Sequence, residues 1–366
     1  MHIREATIDD KEKWNTFVET QGGSIFHYFE WKTIYDVKNW DYIPLLLEDE
    51  TTEIIGLLPL VKIHGSLYSK LVSLPEGASG GCVFKKGLTK AKKSQAMSMF
   101  LSYIDQKYSK GCSTFILKEN LSVKDATRSE PTELFVKNGF TFRYDKEMKL
   151  PCTYRLKLTP SFEDDIWNGL WGKYLRNHIR KSQKKGVCIK EDTNLQYTDD
   201  FITMLSSTYS RLGSIPLSEE ETTLRLTTFK DKTKVWVAFL KERPIASLLC
   251  YYTSSICYSS KMAYDDSARE YYATVLLYSE AIRDACENGY EFFEFGVTET
   301  PSLAKWKEQF VPIKIPLRIY EKQYSTVRVF FEKTRSLVKW AWNNKQYVWH
   351  HRRRLIRKIL RKRIQG

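Results

Sequence analysis

The chain has 366 residues, of which 42% are hydrophobic and 14% aromatic, so its composition excludes a disordered or fibrous protein and its length fits two domains. The formal net charge of +14 is concentrated at the C-terminal end, since residues 320–366 contain 14 Lys/Arg and two acidic residues. The first 319 residues therefore carry a net charge of only +2, which argues against a basic DNA-binding protein and predicts no DNA partner.

The first half of the sequence alternates strand and helix signals. Strands are predicted at His2–Ala6, Tyr42–Leu47, Ile54–Val61, Leu71–Leu74, Ser113–Lys118, Phe140–Tyr144 and Tyr154–Leu158, and helices at Asp9–Gln21, Lys90–Tyr108 and Glu130–Asn138. An acidic turn separates the second and third strands and predicts a hairpin. This half is expected to form a mixed α/β domain.

The second half repeats this style. Helices are predicted at Phe162–Lys185, Thr198–Arg211 and Tyr271–Asn288, and strands at Val235–Lys241, Pro244–Tyr252, Ile256–Tyr264 and Tyr290–Phe295. The order helix, meander, helix, strand resembles the GNAT N-acetyltransferase fold. We therefore predict an α/β protein with mixed sheets and two tandem GNAT-like acyltransferase domains, at 1–158 and 159–320, followed by a basic amphipathic helical tail at 321–366.

Several segments together resemble the FemAB family. They are Phe26–Trp31, Gly56–Val61 and Leu71–Gly81 in the first half, and Trp171–Val187, Lys261–Tyr264, Phe293–Val297 and Leu303–Val311 in the second. Their order and spacing extend the resemblance over about residues 1–320. It implies transfer of an amino acid from aminoacyl-tRNA to an amine of a peptidoglycan precursor, so the expected acceptor is a lipid- or nucleotide-linked muropeptide.

Two residues are candidates for catalysis. Amide formation from an acyl ester needs a positive or hydrogen-bonding group where the oxyanion develops. Lys307 lies in a segment that matches an aromatic-Lys-x-x-aromatic pattern of the family, which implies that Lys307 stabilises the tetrahedral intermediate and that Trp306 binds substrate. Glu294, between Phe293 and Phe295, is expected to point away from both neighbours, into a cleft. The alternatives are a solvated helix-face lysine and an edge carboxylate paired with a lysine.

A basic helix face is the next candidate site. Between Lys173 and Lys190 there are seven Lys/Arg and no acidic residue, and Lys173, Arg176, Arg180 and Lys184 recur at helical spacing. Phosphate is the expected partner, either in a diphosphate-linked precursor or in the acceptor end of a tRNA. The alternative is a basic surface helix without a specific ligand. We call these four residues the basic ridge.

Further candidates come from positions of the resemblance. Tyr209, Arg211 and Tyr264 are predicted to line the acceptor cleft, although such tyrosines are often packing residues. In the first half, Lys32 and Lys38 are predicted to contact precursor phosphate.

The loop Pro75–Gly81 is rich in small residues and could let a ligand approach the backbone closely. Its glycines could equally serve only to make a turn.

The start of the long second-half helix argues against one class of donor. GNAT enzymes that use acyl-CoA place a Gly-rich loop there, whereas Asp265–Ala273 has no glycine and three carboxylates, which disfavours a bound pyrophosphate. What remains is an aminoacyl-tRNA donor, which the resemblance to the FemAB family implies and which we predict, or another activated acyl carrier. The alternatives are an acyl-CoA-dependent N-acyltransferase of envelope polysaccharide synthesis and a non-catalytic envelope-precursor binding protein. Neither a cofactor nor a metal site is predicted, because no Cys or His motif has metal-ligand spacing.

The tail predicts where the protein acts. Within residues 340–364, aliphatic and aromatic residues at helical spacing alternate with Lys and Arg, a pattern typical of helices that bind anionic membrane surfaces. Alternatively, the tail binds tRNA phosphate or packs on the body of the protein. Scattered cysteines and the lack of a signal-peptide or membrane-spanning pattern predict a cytoplasmic protein, with peripheral association at the inner membrane face.

Overall fold

The computed structural model describes residues 1–325 apart from 66–67, 79, 121–122, 124–129, 145–148 and 254. Its strands, numbered along the chain, are β1 (His2–Glu5), β2 (Asp41–Glu48), β3 (Ile54–Ile63), β4 (Ser69–Val72), β5 (Val83–Phe84), β6 (Cys112–Lys118), β7 (Thr141–Arg143), β8 (Cys152–Lys157), β9 (Val187–Glu191), β10 (Thr233–Leu240), β11 (Arg243–Tyr252), β12 (Ile256–Tyr264), β13 (Phe292–Glu294), β14 (Ile313–Pro316) and β15 (Ile319–Gln323). Its helices are α1 (Lys11–Gln21), α2 (Trp31–Val37), α3 (Lys90–Tyr108), α4 (Glu133–Lys137), α5 (Lys173–Lys184), α6 (Thr198–Arg211), α7 (Glu219–Thr227), α8 (Ser267–Glu270), α9 (Ala273–Glu287) and α10 (Pro301–Glu308).

Two mixed sheets organise these elements. The first has the strand order β1-β2-β3-β4-β6-β15-β7, with β5 beside β3, and the second has the order β14-β8-β13-β12-β11-β10-β9. Within each sheet one pair is parallel, β4 with β6 and β12 with β13. A helix lies between the members of each parallel pair in sequence, α3 in the first and α9 in the second, because a parallel connection needs a crossover. The predicted mixed α/β class with two sheet-based units is confirmed.

The sheets exchange strands near the predicted domain boundaries. Strand β8, which the division at 158/159 placed in the first unit, pairs with β13 and β14 of the second sheet. Strand β15, which the division at 320/321 split between the second unit and the tail, returns to pair with β6 and β7 of the first sheet. Sheet membership therefore moves β8 and β15 across the predicted boundaries, while the division into two folding units stays a prediction.

The helix predicted over 162–185 is two elements. Residues Phe162–Leu170 form a π-helical segment, and α5 starts only after Gly172, whose ψ of 160° is extended. The interruption places the Trp171 ring in the core, 5.7 Å from the ring of Phe310. The sequence predicted one helix here because its helical periodicity is continuous. Periodicity alone does not show an interruption that tertiary packing stabilises.

An aromatic core joins the two halves of the chain. The ring of Phe26 lies 5.7 Å from that of Tyr258, and the ring of Trp31 lies 5.3 Å from that of Phe229. Trp31 is fully buried, and its indole N–H donates to the carbonyl of Ile25. Because this cluster contains residues from both sheets, the two halves bury apolar surface against each other as well as exchanging strands.

The predicted tail lies mostly outside the described residues. Only the beginning of 321–366 is described, where Glu321, Lys322 and Gln323 belong to β15. Its amphipathic part at 340–364, with the predicted membrane contact, falls entirely in the part that is not described. Among the helices of the described residues, none combines the length and the apolar character that crossing a bilayer requires.

Candidate active site

A cavity of about 540 Å³ is lined by residues from both halves of the chain. The first half contributes Phe26, the loop Pro75–Ala78 and the end of β6, and the second half contributes parts of α6, β12 and α10 and the residues after β13. The charged side chains on its wall are those of Glu76, Lys118, Lys261, Glu294, Glu299 and Lys307. Both predicted catalytic residues, Lys307 and Glu294, thus lie on one cavity.

Lys307 is buried at the cavity wall with a relative exposure of 3%. It lies near the end of α10, a helix capped by Thr300, whose hydroxyl accepts from the backbone N–H of Leu303. Its ammonium Nζ donates to the carbonyls of Gly296 at 2.9 Å and Val297 at 3.1 Å, and to Thr298 Oγ1 at 2.9 Å. A solvated helix-face lysine is therefore excluded.

The surroundings of Lys307 make its ammonium group easy to deprotonate. Burial lowers its pKa from 10.5 to about 8, against the opposing influence of Cys152 and Glu294. No carboxylate lies within ion-pair distance of Nζ among the described residues, so backbone and hydroxyl oxygens provide its hydrogen bonds. At pH 7 about nine in ten such groups carry the positive charge.

This pKa predicts a pH-dependent contribution of Lys307 to stability. With a pKa of about 8 in the folded chain and 10.5 in the unfolded chain, the unfolded state binds more protons between these values. Stability therefore rises with pH across this window. The free energy of unfolding of wild type minus that of Lys307→Met should increase by about 3 kcal/mol across it. Urea unfolding at several pH values measures this difference, and a difference that stays constant would contradict the burial of a charged Lys307.

Glu294 is buried and held by an arginine. It lies on β13 directly opposite Arg155 of β8, and Arg155 Nε donates to Glu294 Oε2 at 2.6 Å. Both side chains are almost fully inaccessible, while the neighbouring Phe293 is packed in the core. Glu294 reaches the cavity, but its partner is an arginine and not the lysine that the alternative interpretation expected.

Residues of both halves form a largely buried charge network that sequence reasoning missed. Glu76, in the loop after β4, accepts from Arg225 Nη2 at 2.7 Å, and its other carboxylate oxygen lies 3.5 Å from Lys261 Nζ. Burial alone would raise the pKa of Glu76, but the charges of Lys261 and Arg225 outweigh burial and lower it. Arg225 also donates to Glu221 at 2.6 Å. No sequence motif signals this network, because its members lie far apart along the chain.

Gly77 has a structural role in the same loop. Its φ is +71°, and a Cβ at this position would lie 2.3 Å from the ring of Phe26. Glycine is therefore required by the backbone and by packing.

The remaining cleft residues are only partly brought together. Tyr209 lines the cavity and its hydroxyl accepts from Lys261 at 3.3 Å. Arg211 lies outside it, where it pairs with Asp266 and stacks 4.4 Å from the ring of Tyr264. Arg211 and Tyr264 thus contact one another and do not line the cavity.

Three other predicted substrate residues also do not line the cavity. Trp306 packs against the rings of Tyr278 and Phe310. Lys32 forms an exposed ion pair with Asp36. The Lys38 ammonium lies 2.8 Å from the carboxylate of Glu221. None of the three lines the cavity, so their predicted roles in binding have no support from this arrangement.

The basic ridge lies on the surface of α5. Lys173, Arg180 and Lys184 are exposed, and Arg176 donates to Asn168 Oδ1 at 3.3 Å. The opposite face of α5 is buried through Leu175, Ile179 and Ser182. The ridge is separate from the cavity, because none of its residues lines the cavity wall.

The segment that would hold an acyl-CoA pyrophosphate is occupied by side-chain contacts. The ring of Tyr272 stacks on that of His178 at 4.4 Å, and Tyr272 has a left-handed φ of 54° where α9 begins. Lys185 donates to the carbonyl of Glu270 at 2.8 Å, and Asp265 Oδ1 accepts from the backbone N–H of Ala268. The segment at the start of α9 therefore has no glycine and in addition carries a bulky aromatic contact.

Part of the chain is similar in sequence to a known protein family. Residues 173–308 match the family model of the acetyltransferase (GNAT) domain. No curated protein sequence matches the chain.

Solved structures extend the likeness over most of the chain. FemX shares 11% identity, with a TM-score of 0.68 over 88% of this chain and 97% of its own. The C-terminal domain of a putative lysylphosphatidylglycerol synthetase from Agrobacterium fabrum shares 11% identity, with a TM-score of 0.56 over 90% and 96%. A tandem GNAT protein from the clavulanic acid biosynthesis pathway shares 8% identity, with a TM-score of 0.53 over 88% and 98%. The resemblance to the FemAB family is therefore confirmed in the fold: the chain shares the architecture of FemX and of a tandem GNAT protein, and residues 173–308 match the GNAT acetyltransferase model.

Proposed function

We propose that the chain is a FemAB-like acyltransferase that forms an amide bond on an amine of a peptidoglycan-type cell-envelope precursor. The observation that carries this proposal is the buried ammonium group of Lys307 on a cavity that both halves line. A fixed positive charge in a place with little water stabilises a developing oxyanion more strongly than a solvated one.

In the proposed reaction the acceptor amine attacks the acyl carbonyl of an ester. A carbon–nitrogen bond forms, the carbon–oxygen bond to the donor hydroxyl breaks, and one proton passes from the amine to the departing oxygen. Lys307 stabilises the intermediate oxyanion by its charge. Because its three N–H groups already have acceptors in Gly296, Val297 and Thr298, a direct bond to the oxyanion requires exchange of one of them, and the Thr298 hydroxyl is the acceptor that can rotate away.

Glu294 is proposed to hold the acceptor amine next to the donor. Its carboxylate lines the cavity and keeps one oxygen, Oε2, bonded to Arg155. An ammonium or amine group can bond the other oxygen without breaking this pair. The fixed position of Glu294 thus orients the nucleophile, which is one of the main sources of rate enhancement in acyl transfer.

The proposed donor is aminoacyl-tRNA. The contact between His178 and Tyr272 and the carboxylates of Asp265–Ala273 disfavour a pyrophosphate at the start of α9. The exposed basic ridge offers an RNA phosphate surface instead. The putative lysylphosphatidylglycerol synthetase that shares the fold also fits transfer of an aminoacyl group. Binding of the tail at 340–364 to an anionic membrane remains part of the proposal, since it would hold a cytoplasmic enzyme beside a lipid-linked acceptor.

An acyl-CoA donor is the second candidate, because the matching family model is that of an acetyltransferase domain. To distinguish the two, the full chain is incubated with lipid- or nucleotide-linked muropeptides and either a mixed pool of charged tRNA or acetyl-CoA. We expect a mass gain of one amino acid residue with charged tRNA and none with acetyl-CoA or uncharged tRNA. A gain of one acetyl group with acetyl-CoA alone would contradict the proposed donor and support the second candidate.

A further inference from the structure

Positive charge exceeds negative charge around the cavity. Three lysines lie on its wall, at positions 118, 261 and 307, together with three carboxylates, Glu76, Glu294 and Glu299. Glu294 is bonded to Arg155, and Glu76 to Arg225. Arginine partners behind the wall therefore compensate two of the three carboxylates.

The charged groups behind the cavity wall do not remove this excess of positive charge. Arg225 also contacts Glu221, but the Lys38 ammonium compensates Glu221 at 2.8 Å. Among the six basic and four acidic groups named here, positive charges exceed negative charges by two. A partly buried excess of this kind is costly unless an anion compensates it, so the cavity favours a negatively charged ligand.

Lys118 is the lysine best placed to bind that anion. It ends β6, and its Nζ donates to the carbonyls of Pro75 at 3.2 Å and Gly77 at 3.1 Å. The third N–H has no acceptor among the described residues. No carboxylate oxygen of those residues lies within 4 Å of Lys118 Nζ. Burial lowers the pKa of Lys118 to about 8, against the opposing influence of the carboxylates of Glu76 and Glu299. Two carbonyls thus hold the ammonium in place and leave one strong donor free.

We propose that Lys118 is an anion-binding residue of the cavity and takes a carboxylate or phosphate group of the acceptor substrate. This inference rests on the proposed function for the identity of the acceptor, but the anion site itself does not require it. Apolar side chains of Phe26, Leu205, Leu303 and Leu317 form another part of the wall. The site therefore fits an amine substrate that carries an anionic group and an apolar portion.

Binding can be tested on the wild-type protein without any transfer reaction. Trace labelling with a limiting amine-acylating reagent, followed by mass spectrometry of peptides, measures the reactivity of each lysine. N-acetylglycine supplies a carboxylate, inorganic phosphate supplies the alternative anion, and N-acetylglycinamide is the uncharged control. At ten times the dissociation constant, a bound anion should slow labelling of Lys118 about tenfold, while exposed Lys137 should not change.

Each outcome of the labelling experiment decides the inference. Protection by N-acetylglycine but not by phosphate identifies a carboxylate site, and protection by phosphate alone identifies a phosphate site. Protection by neither anion, or equal protection by the uncharged amide, would overturn the anion site.

A variant then connects the site to the acceptor. Losing one charged hydrogen bond should raise the KM for an anionic acceptor about tenfold or more in Lys118→Gln, with a smaller change in kcat, and Lys118→Arg should recover most of the loss. Lys137→Met serves as the exposed control in the same half. An unchanged KM in a folded Lys118→Gln variant would overturn the role of Lys118 in acceptor binding. If the wild type transfers nothing to any acceptor, the proposed function fails while the labelling result still decides the anion site.

Discussion

Transfer by the Lys307→Met variant is expected to be about 100- to 1000-fold slower than by the wild type, which is the loss typical of removing one group that stabilises an oxyanion. Methionine keeps much of the length and volume of the side chain but removes the charge and the three hydrogen bonds to Gly296, Val297 and Thr298. The loss should appear in kcat, with little change in the affinity for the acceptor, because the charge acts mainly on the transition state. Single-turnover transfer and equilibrium binding of the acceptor measure the two quantities.

Lys305 provides the matched control for this experiment. It lies on the same helix, α10, two residues before Lys307, but its side chain is exposed. Lys305→Met should therefore transfer at the wild-type rate. If folded Lys307→Met were as active as Lys305→Met, Lys307 would have no part in the chemistry and the cavity would fit a binding protein better than an enzyme.

The second large effect is expected from breaking the pair between Arg155 and Glu294. Arg155→Met would leave the carboxylate of Glu294 buried without its guanidinium partner, and uncompensated buried charges cost about 3–5 kcal/mol of unfolding free energy. Chemical denaturation at pH 7 measures this loss. The double variant Arg155→Met with Glu294→Met should recover a large part of it, because the buried carboxylate is then removed together with its guanidinium partner.

An exposed pair gives the scale for comparison. Lys137 and Glu133 form an i,i+4 pair in which both side chains are mostly exposed, so Lys137→Met should change the unfolding free energy by less than about 0.5 kcal/mol. Equal and small effects of Arg155→Met and Lys137→Met would show that the buried pair does not hold the two strands, β8 and β13, together.

The sequence predicted the positions of helices and strands better than it predicted the contacts of the site residues. Helix α3 at Lys90–Tyr108 and strand β12 at Ile256–Tyr264 were predicted with their observed bounds, because their apolar periodicity is regular. Residues 187–191 and 219–227 form β9 and α7, which were not predicted, since short polar segments carry little periodic signal. Element order was sufficient to indicate the fold.

The candidate site was predictable only where a local motif marks it. Lys307 was identified by its aromatic neighbours and their resemblance to a family pattern, but its burial depends on how α10 folds back over the residues after β13. Glu294 was identified by alternation along a strand. Arg155 and Lys118 could not be found in this way, because each meets the cavity through sheet pairings and loop contacts that join distant parts of the chain.

The return of the chain to the first sheet limits how the two halves can move. Only Leu317 and Arg318 separate β14 in one sheet from β15 in the other. An extended chain spans at most about 3.6 Å per residue, so this link works as a short tether between the sheets. Leu317 is also part of the cavity wall. A wide hinge opening would therefore have to break the hydrogen bonds between β14 or β15 and its neighbouring strands. Substrates are expected to enter through side-chain and loop rearrangements instead.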